Sequence, residues 1–453
     1  MTRIRELAAA TPAWRDRYVD LLRALAITAV VLGHWLIMTV GYDQRGGITG
    51  TSALAELTWA HPVSWLFQVM PVFFMVGGYA NAISLGRYRQ RGGRDSDWLL
   101  GRSARLIRPT TMLLLVLAAG AVLAGLLGAD PAQVGRAVWL ASLPLWFLVV
   151  YLLMVVLTPV MYRLHQRAGL AVPVLLLVPV VAGDGLRLWS GQEPMAYGNF
   201  LFAWLAIHQI GFGWADGRLP DRARVSVPLL LAGFGGLVLL TVAGPYPVSV
   251  VTVPGAGMQN SSPPSLALVS LAAAQLGLAM LARPAAQRWL RRTRPWTAVV
   301  SLNAVILTVF LWHMSAAVLG TLLLHLAGRL PFPPVGTAGW WLGRVPWVAL
   351  LTVLLAGLVL LLGRIEVRAA AGAGGLGRPV PGWVAGRIAA GQDWLVPAGY
   401  GAVVVGLLWQ AVAGSGHHGP FGFPTGALLL YLAGAAVLRV GTAAGLACGI
   451  EAK

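Results

Sequence analysis

Apolar runs of about 20 residues, separated by short polar or Gly/Pro-rich segments, recur along the whole chain. A run of that length crosses the ~30 Å hydrocarbon core of a bilayer as one α-helix. The pattern predicts twelve helices, at 19–41, 62–84, 106–128, 139–161, 168–183, 196–215, 226–244, 264–282, 297–326, 345–363, 394–414 and 424–443. The fifth is short, and the ninth is long enough to tilt or bend. The expected fold is an all-α, polytopic membrane helical bundle with no inserted soluble domain. Ten helices over 1–365 form its core, 366–393 reads as a Gly/Ala-rich cytoplasmic linker, and 394–453 carries an accessory helix pair with few polar residues in its spans.

Composition supports this reading. Hydrophobic residues make up 58% and charged residues 11% of the chain, where a soluble surface needs roughly 25% charged. Of the 33 basic residues only Lys453 is a lysine. With the N-terminus placed inside, the outer arginines Arg45, Arg136, Arg187, Arg329 and Arg344 are balanced by five acids, so the whole net charge of +18 falls on the inner side. That bias predicts an inner-membrane, multi-pass protein with both termini cytoplasmic. The positive charge sits in loops between spans, which argues against a nucleic-acid partner and for membrane lipids. The charged N-terminus is followed by no small-residue cleavage site, so the first run reads as a retained helix. The lone cysteine, Cys448, excludes a disulfide framework. The histidines are scattered without ligand spacing, so no metal is implied. Gly372-Ala-Gly374-Gly-Leu-Gly377 matches a dinucleotide fingerprint, but it lies between two membrane helices and not in a βαβ unit.

Candidate chemistry lies inside the spans, where ionisable groups are costly and usually face a protein interior or wet cavity. Arg23 and His34 are 11 residues apart, three helical turns plus about 20°, so they share one face of the first helix roughly 16 Å apart. Asp20 lies about 40° to the other side of Arg23. Arg102, Arg105 and Arg108 recur every three residues at the start of the third span. Such a strip suits a phosphate cluster, because guanidinium forks bind phosphate oxygens in pairs. A topology signal that touches lipid headgroups is the plainer reading. His208 in the sixth span suits either substrate contact or interhelical hydrogen bonding.

Several of these segments together resemble the acyltransferase-3 family of bacterial membrane O-acyltransferases. The resemblance covers roughly residues 12 to 365. It rests on Arg23-x10-His34, Arg105-x-x-Arg108, Pro71-Val-Phe73-Phe74-Met-Val-Gly77-Gly78-Tyr79, Trp146-Phe147-Leu148-Val-Val-Tyr151, and Ser301-Leu-Asn303 followed by Leu311-Trp312-His313. It implies transfer of an acyl group, often acetyl, from acyl-CoA as co-substrate to a hydroxyl of a sugar, glycolipid or secondary-metabolite acceptor, with no tightly bound cofactor. The roles implied are His34 as general base, Arg23 as orienting or charge-stabilising group, and Arg102, Arg105 and Arg108 on the donor's phosphates. Trp146, Tyr151, His208, Ser301, Asn303 and His313 are the expected substrate contacts. The chain departs from the family pattern at Asn303, where the late motif has tyrosine, and no carboxylate partner for His34 is evident. Asp184 is a candidate by depth alone. The rival expectation is a transporter or flippase that binds an anion through the same Arg and His residues, although no internal repeat relates the two halves.

Overall fold

The computed structural model describes residues 15–371, 382–414 and 419–451, with side chains described outside 364–394, 420 and 441–451. The segment holding Gly372 to Gly377 and the His417-His418 pair lie outside the described residues.

The first helix, α1 (Arg17–Ile37), opens on Asp16, whose carboxylate accepts the Tyr18 and Val19 backbone N–H groups. This satisfies donors that a helix N-terminus leaves unpaired. The run expected to continue to residue 41 instead turns at Met38 into an antiparallel hairpin, β1 (Met38–Tyr42) with β2 (Ile48–Ser52). Thr39 and Val40 favour an extended backbone, and the Asp43 carboxylate closes the turn on the Gly47 and Arg45 N–H groups. Those bonds, Gly47's first, hold the Asp43 carboxyl below the usual carboxylate range. The hairpin is the one departure from an otherwise helical architecture among the described residues.

Helices α2 (Met70–Gln90) and α3 (Asp95–Leu126) follow, then α4 (Pro131–Ser142) and α5 (Leu145–Ala168). The expected fourth span is thus two helices, broken before Leu145 at Leu143 and Pro144. The expected short fifth span is a full helix, α6 (Ala171–Ser190), ending on left-handed Gly191. Next come α7 (Asn199–Ala215), α8 (Ala223–Val238), α9 (Leu266–Leu290), α10 (Thr293–Ala304) and α11 (Ile306–Leu326). The ninth expected span does more than bend: it breaks at Val305 (φ −127°, ψ 15°) between α10 and α11. The chain ends with α12 (Ala338–Ala371), α13 (Gly382–Val412) and α14 (Thr425–Glu451), so helix occupies much of the segment read as a linker.

Ten of the described helical stretches are long and apolar enough to span a membrane, and Thr425–Val440 is a shorter apolar helix. The polytopic helical bundle is therefore as expected. The remaining expected span is α7, 17 residues long and largely buried. It crosses α2 with the backbones in contact: a Cβ on Gly78 would run into the His208 carbonyl oxygen, and one on Gly211 into that of Met75. Helices in lipid gain cohesion from such close approach at small residues. The last pair, α13 and α14, packs mainly on itself and on α5 and α3. Tyr400 and Tyr431 donate their hydroxyls to the Leu99 and Ile107 carbonyls of α3.

Candidate active site

α11 packs against both α1 and α3, and so lies between the helix of His34 and that of the three arginines. His34 Nδ1 lies 2.9 Å from His313 Nε2, with the two rings stacked at 9°. His313 is fully buried, and its Nδ1 lies 2.6 Å from the Phe310 carbonyl oxygen. A carbonyl can only accept, so His313 carries its proton on Nδ1. Its Nε2 is then a lone pair, His34 donates through Nδ1, and the His34 Nε2 is left basic and unprotonated. The chain of bonds assigns both tautomers. Trp35 Nε1 donates to the His313 carbonyl, and Trp347 Nε1 donates to that of Trp35, which fixes the helix turn behind the pair.

Arg23 lies nearer the start of α1 and pairs with Asp20 at 3.0 Å, while Arg15 holds the other carboxylate oxygen at 2.6 Å. Asn303 Nδ2 donates to the Asp20 carbonyl, so the end of α10 is tied to this same turn. Ser301 bonds its own helix, at the Thr297 carbonyl. Arg23, Asp20 and Asn303 are thus brought together, with the one Asp20 carboxylate shared between Arg23 and Arg15.

Arg102, Arg105 and Arg108 follow one side of α3. Among the described residues no carboxylate lies within ion-pair distance of any of them. Neighbouring arginines behave differently: Arg89 and Arg163 both hold Asp95. His208 is fully buried on α7 and accepts from Asn81 Nδ2 at 3.1 Å, while its Nδ1 has no partner.

Tyr151 belongs to an aromatic cluster with Phe73, Phe74 and Phe147. Phe147 meets Phe310, and Phe310 meets His313, so the cluster runs up to the histidine pair. Trp146 meets the edge of this cluster, its ring 6.4 Å from that of Phe147, and also lies beside Trp139, Ser142 and Ala411. Asp184, the carboxylate picked out by depth, is engaged elsewhere. It accepts from Asn199, Tyr246 and the Leu266 N–H and pairs with Arg187 at 3.0 Å, both side chains being buried. The partner of His34 is an imidazole and not a carboxylate.

A family model described as an acyltransferase domain matches residues 16–364. The chain belongs to the acyltransferase-3 family. No curated protein and no solved structure matches it. As a member of that family with a bundle of apolar helices, it is a multi-pass membrane acyltransferase. The acyltransferase-3 match stops at residue 364, within α12. Sequence reasoning on this acyltransferase missed the Phe310 carbonyl, Trp35 and the Tyr400 and Tyr431 hydroxyls. The three-residue step from Phe310 to His313 was a usable signal for the first, since a helical side chain can reach back to a carbonyl one turn earlier. Nothing in the sequence pairs Tyr400 or Tyr431 with α3.

Proposed function

We propose that this acyltransferase moves an acyl group, acetyl in the simplest case, from cytoplasmic acyl-CoA to a hydroxyl acceptor across a bacterial inner membrane. The observation that carries the reading is the His34–His313–Phe310 chain, which leaves one unprotonated nitrogen, His34 Nε2, with no hydrogen-bond partner among the described residues. The acceptor hydroxyl gives its proton to that nitrogen as its oxygen attacks the thioester carbonyl. The resulting imidazolium is stabilised by the His313 Nε2 lone pair, itself polarised by the bond to the Phe310 carbonyl. As the C–S bond breaks, the departing thiolate takes the proton back from His34. Base and acid are then one group, and the cycle returns it unchanged.

The strip of Arg102, Arg105 and Arg108 supports the donor half of the reading. Three guanidinium groups without carboxylate partners suit a ligand that carries several phosphates, as acyl-CoA does. Arg23, already paired with Asp20, is better suited to orienting the donor than to holding a free anion. Tyr151, with the Phe73, Phe74 and Phe147 rings, would line the apolar passage toward His313. Asn303 and Ser301 would shape its inner end, and His208, with its Nδ1 unpartnered, would contact substrate.

Purified protein incubated with labelled acetyl-CoA tests the reading. Acyl transfer to an acceptor, or slow thioester hydrolysis, should appear and should vanish in His34→Ala. If His34→Ala turns over at the parent rate, the proposal fails.

A further inference from the structure

At the hairpin end of the bundle, away from the arginine strip, Leu324, Arg329, Phe332, Trp340, Arg344 and Trp347 wall a cavity of about 500 Å³. We infer that it binds an anionic amphiphile, a phosphate or carboxylate head on an apolar body. The head's place is set by Arg344, which is 5% exposed. One of its nitrogens donates to the Met38 carbonyl at 2.6 Å, and its Nε–H has no partner. Trp340 Nε1–H is likewise buried without an acceptor. The two donors are neighbours, since Arg344 Cζ lies 4.4 Å from the centre of the Trp340 ring and 4.8 Å from that of Phe332. Among the described residues no carboxylate pairs with Arg344.

A charge held out of water without a counter-ion is costly, and aromatic faces return only part of that cost. Binding the Met38 carbonyl, just past the end of α1, accounts for one Arg344 donor and leaves Nε and Trp340 Nε1 unused. One oxyanion seated between them would satisfy both and neutralise the guanidinium. Arg329, exposed at the rim, adds a second cation. The remaining wall is apolar, from Leu324, Pro333, Trp347 and Leu350. A free inorganic anion would fill the head position and leave that wall wet, whereas an amphiphile covers both. The wall is also fastened to the chain just after His34, through Trp347 to the Trp35 carbonyl at the end of α1 and through Arg344 to that of Met38. The inference concerns binding and stands apart from acyl transfer.

The test uses the full chain in a neutral maltoside detergent, titrated with dodecyl phosphate while its unfolding temperature is followed. A saturable rise is expected with dodecyl phosphate and none with equal inorganic phosphate. Arg344→Gln should abolish the rise. Trp340→Phe keeps the Arg344–Met38 bond, so it should fold, and it should weaken the apparent affinity about tenfold by removing one charge-assisted bond. An unchanged affinity in Trp340→Phe overturns the proposal even if Arg344→Gln does not fold. So does an equal response to inorganic phosphate.

Discussion

His34 Nδ1 and His313 Nε2 lie 2.9 Å apart, although 279 residues separate them in the chain. Because His313 must donate to the Phe310 carbonyl, this contact decides which nitrogen of His34 carries the lone pair. If the pair acts as proposed, His34→Ala should lower acyl transfer by about 10²- to 10⁴-fold, the usual contribution of a general base. His313→Leu should reduce kcat by about 10²-fold with little change in KM. His313→Gln, whose amide oxygen can still accept from His34 Nδ1, should recover most of that loss. Equal kcat in the Leu and Gln variants would show that His313 does not position the base.

The unpaired strip on α3 makes a separate prediction about the donor. Arg105→Gln and Arg108→Gln should each raise KM for acyl-CoA about tenfold or more and leave kcat nearly unchanged, the pattern of lost ground-state binding. A donor lacking the ribose phosphate should show a smaller change in at least one variant. Steady-state kinetics with both donors reads the difference.

Asp184 and Arg187 form a buried ion pair remote from the histidine contact, so their effect should fall on stability. Asp184→Ala leaves Arg187 buried against the partly exposed Glu193 carboxylate at 3.3 Å and the Gln259 carbonyl at 3.2 Å. The loss should be about 3–5 kcal/mol, read as a lowered unfolding temperature. In protein that remains folded, KM for the donor should be that of the parent.

The α2–α7 crossing has no room for a methyl group. Gly78→Ala and Gly211→Ala should each destabilise by about 1–3 kcal/mol, because the new carbon meets backbone and not a movable side chain. Gly101→Ala is the control: nothing lies within 4 Å of its added carbon, so its unfolding temperature should hold or rise slightly. Thermal unfolding of the three variants side by side gives the comparison.

The bundle itself was legible in the chain, because a bilayer demands long apolar helices and leaves them as plain runs. Their interruptions were harder to see. At Leu143 and Pro144 the break has a visible cause, since proline lacks the N–H a helix interior needs. At Val305 no residue type marks it. The Met38–Ser52 hairpin hid within the tail of an apolar run, because hydropathy does not distinguish a helix end from a strand. His34 and the α3 arginines stood out as charges where charge is expensive, and the resemblance picked out His313. Asp184 showed the weakness of judging by depth: it lies in the bundle but is taken up by Asn199, Tyr246 and Arg187.

By itself, then, the order of residues determined the membrane class, the helical architecture and which side chains were too polar to be there without a reason. It did so because hydration costs act on each residue locally and leave a one-dimensional trace. Only the tertiary structure decided that His34 meets an imidazole, that Asp184 does not serve it, and that Arg344 and Trp340 share an unfilled pair of donors. Those are contacts between helices far apart in the chain, and helix periodicity says which face a residue is on but never which helix that face meets.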